Sequence, residues 1–437
     1  MTAPSTMTPT LPASLKANPM LSQWVQFLPN NAIRVMTGKV ELGQGILHAL
    51  KVLAAEELCL SPEQVELCEA DTACGPDEGM TSGSLSIQDS GLAIRHACAH
   101  ARVLLLQQGA QMHACAVDEL HAAAGAVHKG KTRLATYAEL APHIDWQQAV
   151  NIQTPGLPNA SWQWIGQDVA RADVRALVQG EPIFIHDMVL ENMVHARIVR
   201  SDALHATLDE TSWQASQTLA KQWPTGSLLV RDGGLVGVLA VHERDAIAHA
   251  QQLLQTLRWQ AKPLGLSAPS LPQRLQEQQA DAQIFHASGE SAANANGDGQ
   301  TFSATYFRPF LHHATIGTSC ALAQWQSDAT QGPALKVWSH SQGIFALRRD
   351  LALSFALNDA HVQVKHVRGA GCYGHNGADD VAFDAAWLAK HAQGRPVRVV
   401  WSRRDEMIWS PIAPAMTVRV TAKVDAQHQL LDWQQEV

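Results

Sequence analysis

The residues of this sequence best suited to hold a polar ligand are glycines, hydroxyls and amides set just ahead of helical runs. In Gly38-Lys39-Val40-Glu41-Leu42-Gly43-Gln44-Gly45, two glycines flank a glutamine where a strand-like run over 32–36 gives way to a helical pattern over 46–59. Glycine lets the backbone approach a ligand closely, so the N–H groups of Gly43 and Gly45 and the Gln44 amide are expected as free donors. Thr81, Ser84 and Ser86 place three hydroxyls ahead of a second helix, over 89–116. Together the two pieces make a cradle for a phosphate-bearing or otherwise heteroatom-rich cofactor. Taken singly, each also suits a tight turn or a helix-capping loop.

Two later turns carry further candidates. Ser339-His340-Ser341-Gln342-Gly343 separates a strand over 334–338 from a helix over 344–357, so Gln342 is either a fixed amide donor or a helix cap. Gly369-Ala370-Gly371-Cys372-Tyr373-Gly374 fits G-x-G-x-x-G between a strand over 361–367 and a helix over 379–392. Alone, that pattern supports a dinucleotide-binding oxidoreductase. Against it, residues 373–380 stretch the turn beyond the last glycine. The acidic pair Asp405-Glu406 also arrives later than the roughly twenty residues expected for a ribose contact.

Histidine is plentiful, at 21, but has no H-E-x-x-H arrangement; the pair His96 and His100 is expected on a solvated helix face. No metal ligands are assigned. The seven cysteines include no C-x-x-C pair, which points to reduced thiols in a cytoplasmic setting and to no iron–sulfur cluster on this chain. A net charge of -8, from 40 acidic against 32 basic residues, argues against a nucleic-acid partner. No apolar run reaches the roughly eighteen residues of a membrane span, and residues 1–20 lack the charged and apolar parts of a secretion signal.

The order of elements points to an α/β (α+β) fold with helices on sheets. Strand, helix and strand patterns fill 30–70, and the Pro-Gly-Leu-Pro run at 155–158 ends the first unit. Strand-like runs at 183–185, 193–199 and 235–241 precede a helix over 243–257. Residues 267–300, rich in Ala, Gln, Ser and Asn, read as a surface connection before α/β character returns at 301.

The stretch at 41–45 resembles the pterin-binding turn of the molybdenum hydroxylases, the xanthine dehydrogenase and aldehyde oxidase family. The spacing Thr81-x-x-Ser84-x-Ser86 is similar to that family's second pterin-binding loop. Asp173 to Gly180, Phe184, Asp187 and Met193-x-His195-Ala196-x-x-Val199 resemble its hammerhead domain, and Gly371-Cys372-Tyr373-Gly374 its aromatic-bearing turn beside the metal. The likeness runs from about residue 21 to 437 and is nearest to large subunits of the isoquinoline 1-oxidoreductase and nicotinate dehydrogenase type. It covers only their N-terminal portion.

The resemblance implies a molybdopterin-binding domain interrupted by a hammerhead-type α/β domain. Its parts would be a flexible arm (1–20), a first cofactor segment (21–150), the hammerhead-like domain (165–265), a linker (266–300) and a truncated second cofactor segment (301–437). It further implies a molybdenum–molybdopterin cofactor, in plain or cytosine-dinucleotide form, held by Gly43, Gln44, Gly45, Thr81, Ser84 and Ser86. Gln342 would donate to the metal's oxo group, Tyr373 and Gly374 would line the metal, and the loop at 312–317 would line a substrate funnel. The implied reaction is hydroxylation of an aldehyde or N-heteroaromatic carbon with water as oxygen source, the electrons leaving through a small subunit with [2Fe-2S] clusters.

Two departures stand out. The family's catalytic glutamate, in a Gly-x-Gly-Glu context, is missing, since Glu436 has no glycine near it; no catalytic residue is assigned to this chain. His375-Asn376 replaces the small-then-basic pair of xanthine dehydrogenases, which argues against a purine substrate. The chain is therefore expected to be one part of an enzyme, or else an inactive scaffold.

Overall fold

A computed structural model describes residues 11–262, 265, 267–277, 283–288, 299–326, 334–374 and 380–437. The first half of the expected arm, much of the expected linker and the His375-Asn376 departure lie outside the described residues.

The first segment opens with helix α1 (Ala13–Ala17) and strands β1 (Val25–Phe27) and β2 (Ile33–Met36). Helix α2 (Ile46–Glu57) and strand β3 (Val65–Cys68) follow, β3 lying parallel to β2 while β1 lies antiparallel to it. A π-helical turn, Ser86–Gly91, leads into α3 (Leu92–Met112). A three-stranded meander, β4 (Leu120–Ala123), β5 (Ala126–Lys129) and β6 (Thr132–Thr136), closes the segment with the short helix α4 (Tyr137–Leu140). Leu50 and Ala54 from α2 and Ile94, Ala97 and Leu105 from α3 are buried in one core with Trp24 and Tyr137. Those positions recur at the three- and four-residue steps that put apolar side chains on one face of a helix.

The middle stretch contains α5 (Val174–Gln179), β7 (Val194–Val199), β8 (Thr207–Leu208), α6 (Glu210–Ala220), β9 (Leu228–Asp232), β10 (Leu235–Ala240), α7 (Glu243–Thr256) and β11 (Trp259–Gln260). Helix α8 (Leu271–Glu277) stands within the expected linker. Beyond it come β12 (Gln300–Arg308), β13 (Cys320–Trp325), β14 (Leu335–Ser339), α9 (Ile344–Ser354), β15 (Val362–His366), α10 (Asp380–Ala389), β16 (Val397–Val400), α11 (Arg403–Trp409), β17 (Met416–Val424) and β18 (Leu430–Glu436).

The main sheet has seven strands in the order β15-β14-β13-β16-β7-β10-β9. The middle stretch therefore does not keep its strands to itself: β7 pairs in parallel with β16, Val397 opposite Val194. Val194, Ala196 and Leu239 share a core with Val337, Val399 and the inner face of α10. The first segment joins the same sheet at its β15 edge, where Thr72 N–H donates to Val364 O at 3.0 Å and His366 N–H to Ala70 O at 2.9 Å.

Two local expectations fail for physical reasons. The run at 183–185 is not a strand; Ile185 opens a 3-10 turn because its N–H donates to Arg368 O at 2.8 Å, while the Asp187 carboxylate takes the Phe184 N–H at 3.1 Å. His100 is buried and not solvated, its Nδ1 accepting the Asn151 N–H at 3.1 Å. Among the described residues no group of three or more His, Cys, Asp and Glu could hold a metal ion, and no helix is long and apolar enough to cross a membrane.

One buried charge makes this core sensitive to pH. Asp384, on α10, is fully buried, pairs with Arg200 and accepts from Trp401 Nε1 at 2.8 Å, while Arg200 lies over the rings of Trp401 and Trp409. Burial outweighs the pull of Arg200 and pushes the carboxyl up to about 6. The folded chain therefore holds this proton more tightly than the unfolded chain does. The resulting stability is complete below the unfolded carboxylate pKa, about 3.9, and is lost as the pH rises through the folded value. Between about pH 5 and pH 8 that loss should amount to roughly 1 kcal/mol. Urea unfolding across this range should show it, and Asp384→Asn should flatten it; an unchanged slope in the variant would contradict the account.

Candidate functional site

The polar turns stand where parallel strands end, a position that open α/β sheets commonly use for ligands. The turn at 37–45 follows β2, the turn at 339–343 follows β14, and the glycine loop follows β15.

At the first turn the expected free donors are already occupied. The Glu41 carboxylate, 2% exposed, folds back so that Oε1 accepts the N–H of Gly43 at 2.9 Å and of Gly45 at 2.8 Å. Its Oε2 takes the Leu47 N–H at 3.3 Å. The start of α2 is thus satisfied by the chain's own anion, which is what unpaired N–H groups and the helix dipole favour. Gln44, exposed, also bonds inward: Oε1 accepts from Leu42 N–H at 2.6 Å, and Nε2 donates to Val40 O at 3.0 Å. Gly45 has φ of 78°, which favours glycine, and a Cβ there would stand 2.9 Å from Arg171 Nη1.

The second piece is pinned against the first. Lys39, 2% exposed, donates through Nζ to Glu78 O at 2.7 Å and Met80 O at 3.2 Å. The Glu78 carboxylate accepts from Thr37 Oγ1 and from Gly38 N–H, both at 2.7 Å. The Thr81 hydroxyl accepts the Val40 N–H at 3.0 Å. Thr81 also exchanges two bonds with Gln342: its N–H donates to Gln342 O at 2.8 Å, and Gln342 Nε2 donates to Thr81 O at 3.0 Å. Gln342, 6% exposed, therefore does not cap α9, whose N-terminal cap is Gly343 with no side-chain bond.

A short chain of hydrogen bonds thus joins Gln44, Val40, Thr81 and Gln342. Ser84 lies exposed with φ of 59°, and Ser86, half-buried, opens the π-helical turn. Neither serine is tied to Gln342 by the hydrogen bonds of the described residues.

The glycine loop meets the same region from the other side. Val367 N–H donates to Ser339 O at 2.9 Å, and the His340 ring would lie 2.9 Å from a Cβ on Gly369. The Tyr373 ring stands 3.1 Å from where a Cβ on Gly371 would be. Both glycines are therefore covered by side chains, where a pyrophosphate would need open backbone. The expected funnel loop runs alongside: Gly317 N–H donates to Ala370 O at 2.9 Å, and His313 Nε2 lies 3.5 Å from the Cβ position of Gly374. His366, fully buried, is pushed down to about 3 by burial and stays neutral at ordinary pH, so it offers no cation.

Arg171, Asp173 and Arg368 had no assigned role from sequence, yet they connect the two sides. Asp173 bonds both guanidinium groups, and those bonds, Arg171's first, hold its carboxyl well below the usual carboxylate range. The missed roles are of two kinds: Glu41 bonds within its own turn, whereas Lys39 and Glu78 join the turns at 37–39 and 78–80 across the sequence. Only Glu41 left a signal: a carboxylate two residues before one glycine and four before another at a helix start is placed to accept their N–H groups.

Comparison with known proteins places these turns in context. The family description Molybdopterin cofactor-binding domain matches residues 3–170 and again residues 275–437. A nicotinate dehydrogenase subunit of Pseudomonas putida is 31% identical over 417 residues, covering 93% of this chain and 34% of that protein. The beta subunit of isoquinoline 1-oxidoreductase from Brevundimonas diminuta is 24% identical, covering 92% of this chain and 56% of that protein. Quinoline 2-oxidoreductase from Pseudomonas putida 86 superposes with a TM-score of 0.47 at 18% identity, over 62% of this chain and 38% of that one. The chain spans from about a third to just over half of these curated relatives' length.

The Glu41 brace has a measurable consequence. Glu41→Ala leaves three N–H groups of the turn without their acceptor, which should lower unfolding stability by about 1–3 kcal/mol. Glu41→Gln, which keeps an acceptor oxygen, should lose less. Equal stability of Glu41→Ala and wild type in denaturant titration would show that the carboxylate does not hold the turn.

Proposed function

Because the chain belongs to the molybdenum hydroxylase family and carries two molybdopterin cofactor-binding segments, we propose that it forms the pterin-holding part of an oxidoreductase. The reaction proposed is hydroxylation of an aldehyde or N-heteroaromatic carbon with oxygen from water. The observation that carries the reading is the bonded run Gln44–Val40–Thr81–Gln342, which brings an early amide and a late amide to one seam.

The residues present fit such a group. A Cβ on Gly43, at φ of 104°, would meet nothing within 4 Å, so the backbone there faces open space. Gln44 next to it is exposed, as is Ser84 on the second piece, and Arg171 Nη1 adds a cationic donor at Gly45. Gly43, Gln44, Gly45, Thr81, Ser84 and Ser86 would hold the pterin, in its plain or cytosine-dinucleotide form. Gln342, Tyr373 and Gly374 would line the metal.

When bound, the molybdenum–pterin group supplies a Lewis acid and a two-electron sink. The chain's own residues bind and orient. Gln342 is held in one orientation by its bond to Thr81, so it presents a fixed dipole, and a fixed dipole stabilises developing charge without reorganisation. Glu41 and Lys39 hold the turns in place, so that the open backbone at Gly43 keeps its shape. Glu436 lies exposed on β18, and no proton-accepting role is given to it. The proposed base is a glutamate supplied by the part of the enzyme beyond the span this chain shares with its relatives. A small subunit with [2Fe-2S] clusters is the proposed electron acceptor. The dinucleotide alternative is disfavoured by the covered glycines at 369 and 371.

Metal analysis of the complete enzyme should find molybdenum near one per copy of this chain, and Gln44→Ala should lower that content clearly. Full molybdenum in the variant would remove Gln44 from the cofactor's contacts, and none in the wild type would sink the reading.

A further inference from the structure

Asp173 occupies the residue before α5, a position where aspartate ordinarily turns its carboxylate onto the first N–H groups of its own helix. It makes no such bond here. Its Oδ1 accepts from Arg171 Nε at 3.0 Å, and its Oδ2 accepts from Arg171 Nη2 at 2.8 Å and Arg368 Nη1 at 2.6 Å. We propose that Asp173 is a positioning residue that couples the glycine turn at 43–45 to the glycine loop at 369–374, making the two sides of the site one mechanical unit. The inference rests on reading both turns as facing the cofactor.

Each arginine belongs to one side. Arg171 keeps Nη1 against Gly45, 2.9 Å from its Cβ position, so the guanidinium packs directly on the first turn. Arg368 is the residue before Gly369; its carbonyl accepts the Ile185 N–H at 2.8 Å, and its Nε lies 3.5 Å from Glu69 Oε1. Glu69 follows β3, and burial raises its carboxyl. It therefore braces Arg368 more weakly than Asp173 does.

The bidentate pair fixes Asp173 on Arg171, and the single 2.6 Å bond from Arg368 Nη1 joins the second guanidinium to the same carboxylate, so movement of one is passed to the other through Asp173. The side chains are only 16–29% exposed, which limits screening by solvent. Without the carboxylate, two guanidinium groups would face one another with like charge. Its loss should therefore push the two sides apart and do more than free a side chain.

Hydrogen exchange on the full 437-residue chain tests this without any cofactor. Asp173→Asn should speed amide exchange in both 43–47 and 369–374 by at least about fivefold, leave α3 unchanged, and be reversed in Asp173→Glu, which keeps the charge. Arg171→Ala should loosen the loop at 369–374, and Arg368→Ala the turn at 43–47. Wild-type exchange in both turns of Asp173→Asn, or loosening confined to 171–180, would overturn the coupling. Molybdenum analysis of the complete enzyme is read separately: metal absent from wild type removes the cofactor reading, while the exchange data alone decide the coupling.

Discussion

Two hydrogen bonds exchanged between Thr81 and Gln342 tie together positions 261 residues apart. Closing a loop of that length costs about 5 kcal/mol in chain entropy by the logarithmic rule. Two net hydrogen bonds return only about 1 kcal/mol each. The bridge cannot be what brings the segments together; it sets their alignment once something stronger has done so. That stronger term is apolar burial: Val40 and Ala70 of the first segment lie in the core of the seven-stranded sheet, with Val337, Ile344 and Val364 of the late segment.

Placing this bridge at the sheet's edge concentrates buried polar groups there. Lys39, Glu41, Glu78, Thr81 and Gln342 are each less than 9% exposed, and burial of such groups is unfavourable unless they are bonded. Nearly every polar atom in the seam is therefore assigned to another, and the turns gain rigidity in return. The Glu41 carboxylate illustrates the outcome: it stabilises the start of α2 by using the N–H groups that looked available for a ligand. What remains exposed in these turns is Gly43, Gln44 and Ser84.

Much of the α/β order could be read from sequence because periodicity is local. The β-branched runs at 194–199 and 362–366 and the apolar stripe of α3 are strands and helix as their spacing requires. Less legible were α6, whose sequence ETSWQASQTLA is mostly polar, and α11, which a Ser402–Asp405 capping pair announces only in hindsight. The alternation in Met416–Val424 is a readable strand signal. Pairings such as β16 with β7 depend on sequence-distant partners and leave no local trace. The turns themselves were legible as strand-to-helix junctions, but the bond between Thr81 and Gln342 and the occupied donors at 43–45 were not. Nor was the Arg171–Asp173–Arg368 link, because ion pairs between distant segments have no periodicity to betray them.

The central claim is that turns from both ends of the chain face one metal-bearing pterin. Anomalous scattering at the molybdenum edge, from crystals of the complete enzyme, tests it most directly. The account predicts a single molybdenum peak beside Gln342 and the glycine loop, with the pterin running toward Gln44. A peak remote from both, or a pterin that leaves the 43–45 turn untouched, would contradict it.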